Sequence, residues 1–289
     1  MGIGSEFTAL LLRYCNLRMW GRHSRSHIPP STMIHWLIVE RRNCPPPQCV
    51  LGPEERAYYK DLHTEKRQQD WLLGRVAAKR LVLWHLGRRG AALPLTAIRV
   101  IGDPDGAPRV APAGLALADP ALCAEISALC ISISHTEDHS LCALITGTQS
   151  TIRNLPSAIS LGADIEQITS RGQGFASAYY TSAEMALLDS APIERYDMLS
   201  TAIWSAKEAL LKFTRHGLRV DTRTVTCLPV PPERDGWAPV AIITELTGAP
   251  VVGWWRVYGD CVITIAAHAG RTGTMGAETP PDSCPACSD

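Results

Sequence analysis

A strand-like apolar run ending in glutamate, followed at nearly the same distance by an Ala- and Lys-containing helix, is written twice in this chain. Leu37-Ile38-Val39-Glu40 leads to Arg75-Val76-Ala77-Ala78-Lys79-Arg80-Leu81-Val82-Leu83, and Ala163-Asp164-Ile165-Glu166 leads to Trp204-Ser205-Ala206-Lys207-Glu208-Ala209-Leu210-Leu211. Lys79 and Lys207 then align 128 residues apart. The echo predicts two similar α+β halves packed as a pseudo-dimer, with a ligand cleft at their boundary, where pockets tend to form. Shared helix composition alone could produce the same letters without any symmetry. The expected halves span 31–150 and 151–269. They are flanked by a poorly ordered extension at 1–30 and a disordered tail at 270–289 rich in Gly, Thr, Pro and Ser. Gly4-Ser5-Glu6-Phe7 resembles a cloning scar, so fold reasoning begins near Ile34.

From there the pattern predicts a strand at 34–39, helices at 53–62 and 65–86, a strand at 97–101, a turn at 103–108, and a hairpin of 131–134 with 141–146. A net charge of +0 argues against a general binder of nucleic acid or anionic membrane. No apolar run reaches the ~18 residues of a membrane span, and the short run 8–12 is interrupted by Arg13, so a cytoplasmic location is expected. The 10 cysteines are scattered through apolar stretches and read as reduced packing thiols. Cys284-Pro285-Ala286-Cys287 has CxxC spacing but no second pair at zinc spacing.

The chemistry is concentrated in the second copy of the pattern. In a strand, residues i and i+2 share a face, which puts Asp164 and Glu166 together. In the following helix Glu208 and Lys212 lie one turn apart, with Trp204 a turn earlier on the same stripe. If helix and strand pack so that Glu208 meets the other two acids, each close pair repels by about 4 kcal/mol at an effective dielectric near 20. Such a cluster must take up protons or bind a cation. Oxygen ligands alone favour Mg²⁺, or Mn²⁺, over zinc, and Mg²⁺ commonly completes its shell with water and phosphate oxygens. A phosphate-bearing substrate is therefore expected. From spacing alone the plainer reading leads: Asp164 and Glu166 as solvated strand-end charges, and Glu208-Lys212 as an ordinary helix pair.

Taken in order, the motifs resemble the Sfp-type 4′-phosphopantetheinyl transferases, whose signature is a G-x-D-x-E strand followed by a W-x-x-K-E-x-x-x-K helix. Gly162 to Glu166 and Trp204 to Lys212 carry both halves of that signature. Tyr179-Tyr180-Thr181-Ser182-Ala183-Glu184-Met185 fits the family's aromatic helix start between them, and Ile131-Ser132-Ile133-Ser134-His135-Thr136 fits its upstream Ser-His strand. Leu51 to Arg56 and Trp71 to Lys79 resemble its first helices, so the likeness runs from about Ile34 to Ala267 in one order.

The resemblance implies the pseudo-dimeric 4′-phosphopantetheinyl transferase fold with coenzyme A (CoA) between the halves. It implies transfer of the 4′-phosphopantetheine arm of CoA to a serine of an acyl or peptidyl carrier protein, with release of adenosine 3′,5′-bisphosphate. Asp164, Glu166 and Glu208 are then the Mg²⁺ ligands, and Lys212 sits by the leaving oxygens. Glu208, or a water beside it, accepts the serine proton, with Glu184 as the competing base. Ser134 and His135 contact the CoA phosphates, and Arg75 and Lys79 are further cation candidates. His139 lacks a family counterpart and reads as a turn residue. Arg80 stands where Glu208 stands in the other half, so one active site per chain, in a monomer with an internal pseudo-twofold, is expected. The chain departs from relatives at Ala107, where a lysine often stands and for which Arg109 is the candidate replacement, and at Glu55, where some relatives carry a lysine. Rival functions are an Mg²⁺-dependent phosphodiesterase or nuclease, and a noncatalytic carrier-protein-binding domain.

Overall fold

The computed structural model describes residues 34–87, 92–145, 161–172, 174–231, 236–248 and 250–268. The expectations for the N-terminal extension, the C-terminal tail and its CxxC lie outside the described residues. In the first half, β1 (Ile34–Glu40), β2 (Ile98–Gly102), β3 (Pro108–Pro112), β4 (Cys130–His135) and β5 (His139–Ile145) form an antiparallel sheet in the order β1-β5-β4-β3-β2. In the second, β6 (Leu161–Gln167), β7 (Val225–Pro229), β8 (Ala238–Thr244), β9 (Val251–Tyr258) and β10 (Cys261–His268) repeat it as β6-β10-β9-β8-β7. The echo in the sequence therefore corresponds to an architectural repeat, and β1 and β6 hold matching edge positions.

The helices repeat in part. The first half carries α1 (Pro53–Lys60), α2 (Glu65–Gly87) and α3 (Pro120–Ser127), and the second α4 (Phe175–Tyr179), α5 (Ser182–Asp189) and α6 (Ile193–Phe213); the short-then-long pair α1 and α2 corresponds to α5 and α6, whereas α3 lies between β3 and β4. Thr64 starts α2, its Oγ1 accepting the Arg67 N–H at 3.2 Å, which satisfies one of the open donors of the first turn. At the end of α6, Arg215 takes a left-handed φ of 61°. Its N–H donates to Lys212 O at 3.0 Å and the His216 N–H to Leu211 O at 3.1 Å, the paired bonds of a Schellman stop in which glycine is the usual residue.

Strand alternation sorts the apolar side chains into three cores. Leu37 and Val39 of β1 face α2, with Leu73, Val76 and Leu81. Ile34 and Trp36 face the other way and meet Leu141, Ala163, Ile165, Ile263 and Ile265 between the two sheets. On the far side, Val262 and Ala266 pack with Ala206, Ala209 and Leu210 of α6. The order is thus helix, sheet, sheet, helix, and Asp164 and Glu166, alternating with Ala163 and Ile165, are left on the α6 face of β6. No helix among the described residues is long and apolar enough to cross a membrane. Cys44, Cys142, Cys227 and Cys261 carry free thiols.

One buried ion pair is built into each half. Lys79 Nζ lies 2.5 Å from Glu55 Oε2 and donates to Val50 O at 2.7 Å. Lys207 Nζ lies 2.9 Å from Glu184 Oε2 and donates to Thr222 O at 2.8 Å and Val225 O at 2.6 Å. Both glutamates are the third residue of a short helix and reach back to the N–H before it, Glu55 to Gly52 and Glu184 to Thr181. Their other oxygens accept a strand N–H, from Val100 at 3.1 Å and Cys227 at 2.6 Å. Each pair therefore ties two helices to a strand. It is also costly to break, because removing one partner strands the other charge in the core.

Candidate active site

Gly162 sets how closely α6 approaches β6. A Cβ there would lie 1.7 Å from Ala209 O and 2.8 Å from Phe213 N, so only glycine lets the helix backbone rest on the strand. Two residues on, Asp164 is buried beneath the last turns of α6, which present Glu208 and Lys212. Lys212 Nζ donates to Asp164 Oδ1 at 2.7 Å and to Ala163 O at 3.2 Å. From the other half, Ser134 Oγ donates to the same Oδ1 at 2.8 Å. Asp164 Oδ2 is buried and has no hydrogen-bond partner.

The remaining acids are coupled to Asp164 electrostatically. Arg171 holds Glu166 at 3.3 Å, and its guanidinium lies 4.7 Å from the Phe175 ring centroid and 5.6 Å from that of Trp204. Burial, and then the charge on Asp164, push the Glu166 carboxyl above its ordinary range. The same two causes push Glu208 to about 7, with Lys212 opposing them and Glu166 adding to them. The oxygens of the three acids do not all lie within 4.8 Å of one another. A buried carboxylate oxygen without a donor, beside two carboxyls that resist ionising, fits a divalent cation: it would partner Oδ2 and cancel the repulsion that raises the neighbours.

Two cavities flank β4 and share Ile133. One, of about 390 Å³, contains His135, Arg75, Lys66, Arg67 and Trp71. Arg75 stacks over Trp71 with 3.8 Å from Cζ to the ring centroid, and its buried Nε has no partner. Burial brings its guanidinium down to about 10. Partial desolvation lowers His135, and the Lys212 and Arg41 cations reinforce this against Asp70. The other cavity, also of about 390 Å³, runs between the halves from Lys212 and Ser132 to Ala107, Arg109 and Arg215. At its mouth Arg215 is paired with Asp103 at 2.5 Å and Asp105 at 2.6 Å, bridging the halves.

The structure thus pairs Lys212 with Asp164, couples Glu166 and Glu208 to Asp164 electrostatically, and puts His135 and Arg75 in one cavity. Three expectations take a different form. Lys79, expected to face a ligand, has no exposed surface and is held by Glu55. Glu184, expected as an alternative base, is equally buried, with both oxygens engaged by Lys207, Thr181 and Cys227. Ser134 turns its hydroxyl to Asp164. Glu55 is a core partner, not simply a lost surface cation, and Arg109 is drawn to Asp103 at 3.2 Å. Lys66, Arg67, Arg171 and Arg215 were not anticipated at the site; the i,i+4 series Arg67, Trp71, Arg75 was the available signal for one of them.

Residues 160–251, which hold all three acids and Lys212, match the family model of the 4′-phosphopantetheinyl transferase superfamily. The resemblance seen in the motifs is therefore met at the superfamily level over this segment. No curated protein matches the chain. Among solved structures, a holo-(acyl-carrier-protein) synthase from Bacillus anthracis str. Ames in complex with CoA (3′,5′-ADP) aligns at 18% identity with a TM-score of 0.29, covering 39% of this chain and 92% of that one. Holo-ACP-synthase from Plasmodium yoelii aligns at 19% identity with a TM-score of 0.31, covering 40% and 94%.

Proposed function

We propose that the chain transfers the 4′-phosphopantetheine arm of CoA to a serine of an acyl or peptidyl carrier protein in a Mg²⁺-dependent reaction. The observation that carries this reading is the buried, unpartnered Oδ2 of Asp164, whose charge helps to raise two neighbouring carboxyls and whose Oδ1 is held by Lys212, on a segment that matches the superfamily. Asp164, Glu166 and Glu208 would hold the metal, whose chemistry is to neutralise charge on pyrophosphate oxygens.

The chain's own groups account for the rest. His135 and Arg75, with Lys66 and Arg67 in the same cavity, bind the CoA phosphates. Lys212, which lines the inter-half cavity, would act on the phosphate where the bond breaks. The carrier serine oxygen bonds to the phosphorus of the pantetheine phosphate, the P–O bond to the other phosphate breaks, and adenosine 3′,5′-bisphosphate leaves with the bonding pair. Glu208, or a water beside it, accepts the serine proton. Ser134 and Lys212 orient Asp164.

The test is intact-protein mass spectrometry of apo acyl and peptidyl carrier proteins incubated with the chain, CoA and Mg²⁺, beside an EDTA control. A Mg²⁺-dependent gain of one phosphopantetheine group is expected. Unmodified carriers across both types, or full modification by Asp164→Ala, would sink the proposal.

A further inference from the structure

We propose that His139, Asp260 and Cys261 form a second metal site, of zinc type, where the two halves meet. Their ligand atoms all lie within 4.8 Å of one another, and they are the one such group of His, Cys, Asp and Glu among the described residues. Cys261 Sγ is 4.0 Å from His139 Nδ1 and 3.5 Å from Asp260 Oδ1. Zn–N and Zn–O bonds of about 2.0 Å and a Zn–S bond of about 2.3 Å at tetrahedral angles separate ligand atoms by roughly 3.5 Å. The site therefore has zinc dimensions along one edge and is about half an ångström open along another.

The fold explains why these residues converge. His139 is the first residue of β5 and Cys261 the first of β10, strands that hold the same place in the two sheet orders. His139 is thus a strand residue, not only part of a turn. Gly259, at φ 58°, tightens the β9–β10 turn so that Asp260 stands beside Cys261, and the Ile168 N–H fixes that turn through Asp260 O at 2.8 Å. Gln167 Nε2 donates to Asp260 Oδ2 at 3.1 Å, orienting the carboxylate so that Oδ1 faces the sulfur. Support of this kind is what metal-ligating side chains usually receive.

The donor set separates this site from the carboxylate cluster. Thiolate and imidazole are soft and borderline ligands that suit zinc, whereas Asp164, Glu166 and Glu208 offer hard oxygens only. The two sites also lie on opposite faces of the second sheet: Cys261 belongs to the inter-sheet core and Asp164 to the α6 face. Asp260 is exposed while Cys261 is buried, so a fourth position would open toward water. A bound ion would join one half to the other through His139.

The test uses the full chain with Cys284→Ser and Cys287→Ser, which removes the tail thiols from competition. Zn²⁺ is titrated against a chromophoric chelator, and Co²⁺ is added separately to read thiolate ligation from its charge-transfer absorption. One equivalent per chain is expected, with the Co²⁺–thiolate band present and a raised Tm on Zn²⁺ addition. Losing a supporting group typically costs about 10- to 100-fold in affinity, so Gln167→Ala should fall in that range and His139→Ala or Cys261→Ser beyond it. Asp164→Asn should bind Zn²⁺ like the parent. His139→Ala keeps the test valid if the buried Cys261→Ser fails to fold. No stoichiometric Zn²⁺ in the parent, leaving only an S–H···O contact, would overturn the proposal, as would full retention of Zn²⁺ by His139→Ala.

Discussion

Replacing Gly162 by alanine should separate the position of α6 from everything else about the site. The added Cβ would fall 1.7 Å from Ala209 O, and the opposing atoms are backbone, so no rotamer change relieves the contact. A carbon–oxygen approach of about 3.3 Å is the near limit, which requires strand and helix to separate by roughly 1.6 Å. Overpacking of this kind costs about 1–3 kcal/mol, so the variant should still fold with a lower Tm. The larger effect is on chemistry. Glu208 and Lys212 ride on the displaced helix while Asp164 stays on the strand, and a misplacement of about 1 Å already costs on the order of 10²-fold. Carrier modification followed by mass spectrometry, beside a thermal melt of the same sample, reads both effects. A folded Gly162→Ala protein that transfers at the parent rate would refute the argument that this contact positions the site.

Three further outcomes follow from the electrostatics. Glu208 is raised from 4.5 to about 7, so below that pH the folded, metal-free protein favours its protonated form. Stability from that shift is present below 4.5 and lost as pH rises toward 7. In EDTA, Glu208→Gln should therefore melt higher than the parent above neutrality, by roughly 1–3 kcal/mol, with the gap closing as pH falls; a pH-independent gap would contradict it. Glu184→Gln leaves Lys207 buried without its counter-ion and should cost about 3–5 kcal/mol in urea denaturation, much of which a paired Glu184→Leu, Lys207→Met replacement recovers. If Glu184 were instead a base, the single variant would lose turnover without losing stability. Arg75→Ala removes a charged hydrogen-bond donor worth about 1.5–3 kcal/mol, so the KM for CoA should rise roughly 10- to 100-fold with kcat little changed. A fall in kcat alone would place Arg75 elsewhere in the reaction.

The repeat of strand and helix was legible because periodicity is local: alternation fixed which face of β6 carries Asp164 and Glu166, and the i,i+4 spacing put Glu208 and Lys212 on one stripe. What those side chains meet was not local. Lys212 reaches across to Asp164, 48 residues earlier, and Ser134 approaches the same oxygen from the other half. Lys79 and Glu184 were misjudged for a related reason. Charged residues read as surface until a buried partner is found, and their partners lie at Glu55 and Lys207, 24 and 23 residues away in sequence. The same blindness to distant pairing hid the meeting of His139 with Cys261, 122 residues apart.

The outer edge of β6 bears a wider consequence. As the last strand of its sheet it presents an unpaired backbone rim, the kind of surface on which other chains nucleate. Here the rim is covered by side chains: Ser132 Oγ accepts the Ala163 N–H at 2.9 Å, and Ser134 sits on Asp164 at 2.8 Å. These two hydroxyls act as rungs between sheets that share no ladder among the described residues. Separating the halves would therefore dismantle the proposed site around Asp164 and at the same time uncover an adhesive strand, so loss of the proposed activity and onset of self-association are tied to one event.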